Sequence, residues 1–387
     1  MTAASILVVG AGLTGSTIAR CLAEADDGKT IRVVDRKPHV AGNCYDPVDN
    51  LTGIRYHLHG PHAFHTNSEK VWRYLSRFTR WTPYEHRVMA EISGIGLVPV
   101  PCNYTTLTSI LGARRGGEVV QTLARVFDAD AAVPVMALLN HSDPVAKLAG
   151  EVAYEEIFLG YTIKQWGLEP EDVGPSVMGR VPVRMGWDDR YFRDEYQALP
   201  ADGYEAMVTR MLDHPSIEVS LATEADRSTF ATFQYVVYTG AIDELLAYGL
   251  GPLPYRSLSF EFEALDIFSL QPVTQVNYPG EVPWTRITEF KHFGQQPSAK
   301  TLIAREIPGT HEPGKNDPYY PLASDAARSL HKEYVRLASK LHPNIVPAGR
   351  LADYRYYNMD QAVARGLQVA HELNCNVGHE KAPTHGS

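Results

Sequence analysis

At 387 residues the chain is longer than one compact core requires, so two or three lobes are expected. Its 44% apolar and 21% charged residues are ordinary for a globular protein, and its longest apolar runs are strand-sized, which argues against membrane insertion. A net charge of −9 argues against nucleic acid and anionic lipid as partners, so an anionic substrate would need locally gathered arginines.

In chain order, the first forty residues read strand, glycine turn, helix, strand. Ile6–Val9 is apolar and β-branched, as a buried parallel strand should be. The turn Gly10-Ala11-Gly12-Leu13-Thr14-Gly15 follows, then a helix to about Glu24 and a second strand, Ile31–Val34, ending at Asp35. In this context the glycines have distinct physical tasks. Gly10 makes a tight turn, Gly12 lets backbone approach a pyrophosphate, and Gly15 lets helix and strand pack closely. The helix N-terminus then faces phosphate, and Asp35 is placed to accept ribose hydroxyls. Ala19, Asp35-Arg36-Lys37 and Gly42-Asn43 resemble the longer FAD pattern of two-domain flavoproteins, so FAD is expected rather than NAD.

His57, His59, His62 and His65 lie close together in sequence, yet no cysteine or carboxylate joins them and Gly60-Pro61 breaks any helix. No metal is expected there, and at least one of these histidines is read as facing the flavin. Arg87–Ile92 and Leu97–Val100 flank Ser93-Gly94 as a hairpin. Val119, Leu123, Val126 and Phe127, then Val145, Leu148 and Val152 behind a Ser142-Asp143-Pro144 start signal, recur at helical spacing. Leu258–Leu265 alternates, and Thr285–Phe293 and Thr301–Ile307 are strand-like. Tyr235–Gly240 and Gly349-Arg350, the latter ahead of a helical Met359–Val369, return late in the chain to close the dinucleotide site. A frayed polar tail is expected beyond about Asn374.

The predicted fold is therefore α/β: a Rossmann-like FAD-binding domain with an inserted helical domain and an antiparallel β-sheet domain. The FAD-binding part is assigned 1–80, 203–250 and 322–375. The helical part is 105–180, and the sheet part is 81–104, 181–202 and 251–321. Four scattered cysteines without a CxxC pair, and a start without a basic and apolar leader, point to a cytoplasmic protein.

The middle of the chain resembles one family. Gly60-Pro61-His62-Ala63-Phe64-His65-Thr66 and Gly160-Tyr161-Thr162-Ile163-Lys164-Gln165-Trp166-Gly167 are similar to signatures of the UDP-galactopyranose mutases. Arg180-Val181-Pro182-Val183-Arg184, Asp189-Arg190-Tyr191-Phe192, Arg256-Ser257-Leu258, Thr285-Arg286-Ile287-Thr288-Glu289, Pro318-Tyr319-Tyr320-Pro321 and Arg350…Tyr356…Met359-Asp360 follow in the family's order. The resemblance implies a homodimer or higher homo-oligomer. It also implies that reduced FAD attacks the anomeric carbon of UDP-galactopyranose or UDP-galactofuranose, with no net oxidation. By the same resemblance, Arg180 and Arg286 neutralise the diphosphate, and Tyr191, Tyr319 (or its neighbour Tyr320) and Tyr356 hydrogen-bond it. Phe158, Tyr161, Trp166, Asn277 and Asn358 line the nucleotide–sugar site, and His62 lies against the flavin. Gly10, Gly12, Gly15, Asp35, Gly42, Asn43, Gly349, Arg350 and Met359 hold the cofactor. Residues 161–180 are expected to close over ligand.

Two departures stand out. Asn358 replaces the family's aspartate and cannot act as a general acid. Ile157-Phe158 replaces paired aromatics. The competing readings are an FAD amine-oxidase-like oxidoreductase and a non-catalytic nucleotide-sugar binding protein.

Overall fold

The computed structural model describes residues 5–25, 28–168, 182–322 and 324–380. Five parallel strands form the first sheet, in the order Ile217–Ser220, Thr30–Val34, Ser5–Val9, Tyr235–Tyr238, Ile345–Pro347. Both faces of this sheet are covered. Ile6, Val8, Ile31, Val33 and Val237 pack into one apolar cluster, while Leu7, Val34, Val236 and Tyr238 pack into another on the opposite face. That double burial is why these strands read as unbroken apolar runs. The helix Leu13–Ala23 crosses the helix Met359–Glu380 closely enough that a Cβ on Gly366 would lie 2.8 Å from the Thr17 side chain. The last helix thus runs well past Val369, and the stretch just beyond Asn374 continues it rather than fraying.

A seven-stranded sheet runs in the order Tyr320–Pro321, Tyr255–Leu265, Thr301–Thr310, Arg286–Glu289, Gln275–Asn277, Val88–Ile92, Gly96–Val100. It is antiparallel except where Gln275–Asn277 runs parallel to Val88–Ile92. The expected strand over Thr285–Phe293 is shorter, because Phe290–His292 turns into a 3₁₀ helix that packs Phe290 and Phe293 beneath the sheet. A third, small sheet pairs Phe64–Thr66 and Trp81–Pro83 with Tyr196–Pro200.

The helical region packs around Val119, Leu123, Leu138, Ala146 and Ala149. Asp143 caps the helix Pro144–Ala153, its carboxylate accepting from the amides of Val145 and Ala146. That helix passes through a π-helical turn, Tyr154–Leu159, into the short helix Gly160–Trp166. Gly160 sits against the sheet side, where a Cβ would come within 2.3 Å of the Pro279 carbonyl oxygen.

Candidate functional site

One cavity of about 1130 Å³ runs from the glycine turn to the helix Gly160–Trp166. At its dinucleotide end the backbone supplies the site. Gly10 has φ +111°, and a Cβ there would strike the Thr239 hydroxyl at 2.0 Å. A Cβ on Gly15 would lie 2.0 Å from the Gly10 carbonyl oxygen, so helix and strand approach as the motif requires. Gly12 differs: the nearest atom to its Cβ position is Gly42 Cα at 3.8 Å, so the protein leaves that space open. The helix that begins there has no side-chain cap, and its first amides face the cavity as a phosphate would need. Asp35 accepts from the amides of Ala11 (2.7 Å) and Lys37 (2.8 Å), which ties the second strand's end to the glycine turn. Gly42, Asn43, Gly349, Arg350 and Met359 all line the same half.

His62 lines the cavity as well. Its ring donates from Nδ1 to the Gly60 carbonyl (2.6 Å), and burial holds its pKa down at about 4, so the ring is neutral with Nε2 as an acceptor. The other clustered histidines diverge. His57 accepts from the His62 amide and packs on Phe293, His59 meets Lys37 and the Tyr319 hydroxyl, and His65 meets Asp194.

At the far end, Phe158, Tyr161, Thr162, Gln165 and Trp166 form a stripe on the π turn and the helix after it. Ile157 turns into the helical core instead. Arg286 enters from the sheet. Its Nε and Nη2 both bond one oxygen of Glu306, at 2.7 and 2.6 Å, and that carboxylate is almost fully buried. Burial works against the Arg286 charge, but Glu306, together with Tyr161 and Tyr320, outweighs it and keeps the guanidinium ionised. Tyr191, Tyr356 and Asn358 also line this half, and Tyr356 stacks on Tyr320 at 5.3 Å.

Some expected residues lie elsewhere. Tyr319 does not line the cavity; its neighbour Tyr320 does, 5.9 Å from Trp166. Adjacent strand residues face opposite sides, and the pairing of Tyr320 with Arg256 sets which one turns inward. Asn277 is likewise off the wall and accepts from Gln275, which lines it. Arg180 and residues 169–181 fall outside the described residues. Arg184 lines the cavity and donates to the carbonyls of Arg190 and Tyr191, whereas Arg190 pairs with Asp188. Sequence reasoning missed Glu306, His86, Gln275 and the His65–Asp194 contact, because each acquires meaning only from a partner distant in the chain.

The lining carries seven arginine and lysine side chains against four carboxylates, in a protein of net charge −9. Positive charge is therefore concentrated at this one place, as an anionic ligand requires.

Comparison with known proteins agrees with this geometry. Residues 156–356 match the model of a family described as UDP-galactopyranose mutase, and residues 8–78 match an NAD(P)-binding Rossmann-like domain. The chain is 34% identical to a probable UDP-galactopyranose mutase of Klebsiella pneumoniae, over 97% of this chain and 96% of that one. It is also 34% identical to a dTDP-fucopyranose mutase of Escherichia coli (94% and 97%) and 31% to a UDP-galactopyranose mutase of Mycoplasma pneumoniae (95% and 95%). In fold it is similar to a crystal structure of reduced UDP-galactopyranose mutase, with a TM-score of 0.71 at 14% identity, covering 97% of this chain and 95% of that one. A putative protoporphyrinogen oxidase from Exiguobacterium shares the fold at a TM-score of 0.62 and 14% identity (97% and 100%).

Proposed function

This chain belongs to the UDP-galactopyranose mutase family, and we propose that it interconverts UDP-galactopyranose and UDP-galactofuranose with FAD as its dinucleotide. The observation that carries the reading is a single cavity joining the open glycine turn to the Arg286 and tyrosine wall. When bound and reduced, the flavin supplies a nucleophilic nitrogen for the anomeric carbon, in a reaction without net oxidation.

The chain's own residues bind and orient. The glycine turn and the amides of the helix Leu13–Ala23 take the cofactor pyrophosphate, and Asp35 takes its ribose. Neutral His62 offers Nε2 to the flavin edge. Arg286 meets the substrate diphosphate through the part of its guanidinium not held by Glu306, and Tyr191, Tyr320 and Tyr356 bring hydroxyl donors on rigid rings. By resemblance Arg180 adds the second charge. Phe158, Tyr161 and Trp166 exclude water around the nucleoside and sugar. We take the enzyme to be cytoplasmic and homodimeric or of higher homo-oligomeric order. No helix among the described residues is long and apolar enough to cross a membrane.

The test is anaerobic. Chemically reduced, flavin-loaded protein is given UDP-galactofuranose, and in parallel dTDP-fucofuranose, and the pyranose product is counted per flavin. We expect many turnovers of the UDP-sugar from one stoichiometric reduction and almost none from oxidised enzyme. Product that stops at one equivalent per flavin, or equal activity when oxidised, would refute the mechanism. Turnover of the dTDP-sugar alone would move the substrate but keep the chemistry.

A further inference from the structure

Three histidines line the cavity, and only one of them has a carboxylate partner. His62 is committed to the Gly60 carbonyl, and His86 shares its Nδ1 with the Tyr84 hydroxyl at 2.9 Å. Burial holds these two rings neutral, at about 4 and about 3. His65 differs in its contacts. Its Nδ1 lies 2.9 Å from one oxygen of Asp194, and the other oxygen accepts from Asn67 Nδ2 at 2.9 Å. Asn67 is itself held, its side-chain oxygen accepting from the Glu195 amide at 2.9 Å. The imidazole face stacks on Phe192 with ring centres 3.5 Å apart. This is a positioned dyad, built from two segments that the small sheet brings together.

His65 lines the same cavity as His62 and His86. His65 follows the flavin-side His62 by three residues. The next residue, Thr66, donates to Asp360, two residues beyond the cavity-lining Asn358. On the other side Phe192 adjoins Tyr191 and lies 5.8 Å from His86.

We propose that His65 is the proton carrier for opening and reclosing the sugar ring, with Asp194 as its positioning residue. This rests on the mutase reading above. Converting pyranose to furanose breaks the C1–O5 bond and makes a C1–O4 bond. As C1–O5 breaks with its electron pair going to O5, the imidazolium gives O5 a proton. As an O4 lone pair forms the new bond to C1, the O4 proton passes back to the imidazole. One bond is broken and one made, the proton is lent and returned, and no oxidant or reductant is used. The Asn358 amide has no proton to lend in this way. By accepting Nδ1–H, Asp194 leaves Nε2 as the exchanging nitrogen and stabilises the charged ring. The other charged groups packed around the dyad are already engaged. Arg193 is held by Asp130 and Asp188, Asp360 by Thr66 and the Gln361 amide, and His86 is neutral.

The experiment uses reduced, flavin-loaded wild type, His65→Gln and Asp194→Asn. Turnover and UDP affinity are measured from about pH 6 to about pH 9. His65→Gln should lose about 10²–10⁴-fold in kcat, the usual worth of a general acid–base group, while binding UDP within about threefold of wild type. Asp194→Asn should lose about tenfold or more in kcat while keeping UDP affinity, because the ring is no longer held in the tautomer that leaves Nε2 free. A merely structural role would lower UDP affinity along with kcat. Independently of turnover, proton NMR of the UDP complex should show a low-field Nδ1–H signal that both variants lack. Wild-type kcat in His65→Gln or in Asp194→Asn, or persistence of the signal in Asp194→Asn, would each overturn the proposal. Inactivity of the wild type on both nucleotide sugars would instead fault the mutase reading, and the NMR signal would still test the dyad.

Discussion

Replacing Arg256 with methionine should loosen one wall of the substrate site without touching the ligand. Arg256 sits on the strand Tyr255–Leu265 and is only 8% exposed. Its Nε donates to the Gln165 carbonyl at 2.9 Å and its Nη2 to the Lys164 carbonyl at 3.2 Å, so it caps the helix Gly160–Trp166 at the end where carbonyls lack partners. Gly167 follows with φ +64°, and a Cβ there would meet the guanidinium at 2.7 Å. Lys164 makes the second anchor, donating to the carbonyls of Tyr278, Val282 and Trp284. This helix is thus pinned to the sheet. Each bond from a charged donor is worth about 1.5–3 kcal/mol, so two give about 3–6. Methionine recovers part of that by removing a buried cation, leaving a net loss of about 2–4 kcal/mol. If about half of that loss falls on the bound state, UDP affinity drops roughly 5–30-fold. Calorimetry with UDP, paired with denaturant unfolding, reads both quantities. Arg256→Lys, which keeps the charge but not the fork, should fall between. A folded Arg256→Met protein that binds UDP as tightly as wild type would refute the clamp.

Gly15→Ala should abolish flavin loading together with native packing, because its Cβ would lie 2.0 Å from backbone oxygen. Gly12→Ala, with 3.8 Å of clearance, should fold normally and lose flavin only; the absorbance ratio of flavin to protein and thermal unfolding of the apoprotein distinguish the two. Arg286→Ala should weaken UDP binding by about 10–100-fold. It should also destabilise the protein more than Arg286→Ala combined with Glu306→Gln, since the single change strands a buried carboxylate; denaturant titrations compare them. Asn358→Asp should be tolerated and change turnover by no more than a few-fold, and a large gain would mean that the missing carboxylate limits the enzyme. Burial acts to raise the Glu289 pKa, but hydrogen bonds from His292, Thr301 and the Leu270 and Gln271 amides hold it at about 2. Its folded pKa is therefore below an unfolded value of about 4.3. Its contribution is complete above about pH 4.3 and is lost as pH falls towards about 2. Glu289→Gln should be less stable at neutrality and show a flatter loss of stability on acidification.

Local chemistry by itself determined the opening strand, glycine turn, helix and strand, because each glycine answers a constraint within a few residues: a positive φ at Gly10 and close packing at Gly15. The same holds for the Asp143 cap and for the apolar runs buried on both faces of the parallel sheet. Arg286, Trp166 and His62, which the family signatures single out, line one cavity. Tertiary structure alone decided between Tyr319 and Tyr320, since adjacent residues face opposite ways and only sheet pairing says which side is the cavity. It also brought the charged partners together. Glu306 reaches Arg286 across 20 residues by lying on the adjacent strand, and Asp194 reaches His65 across 129. A carboxylate's effect on its partner falls steeply with distance and grows with burial, and neither quantity is written in the order of residues along the chain.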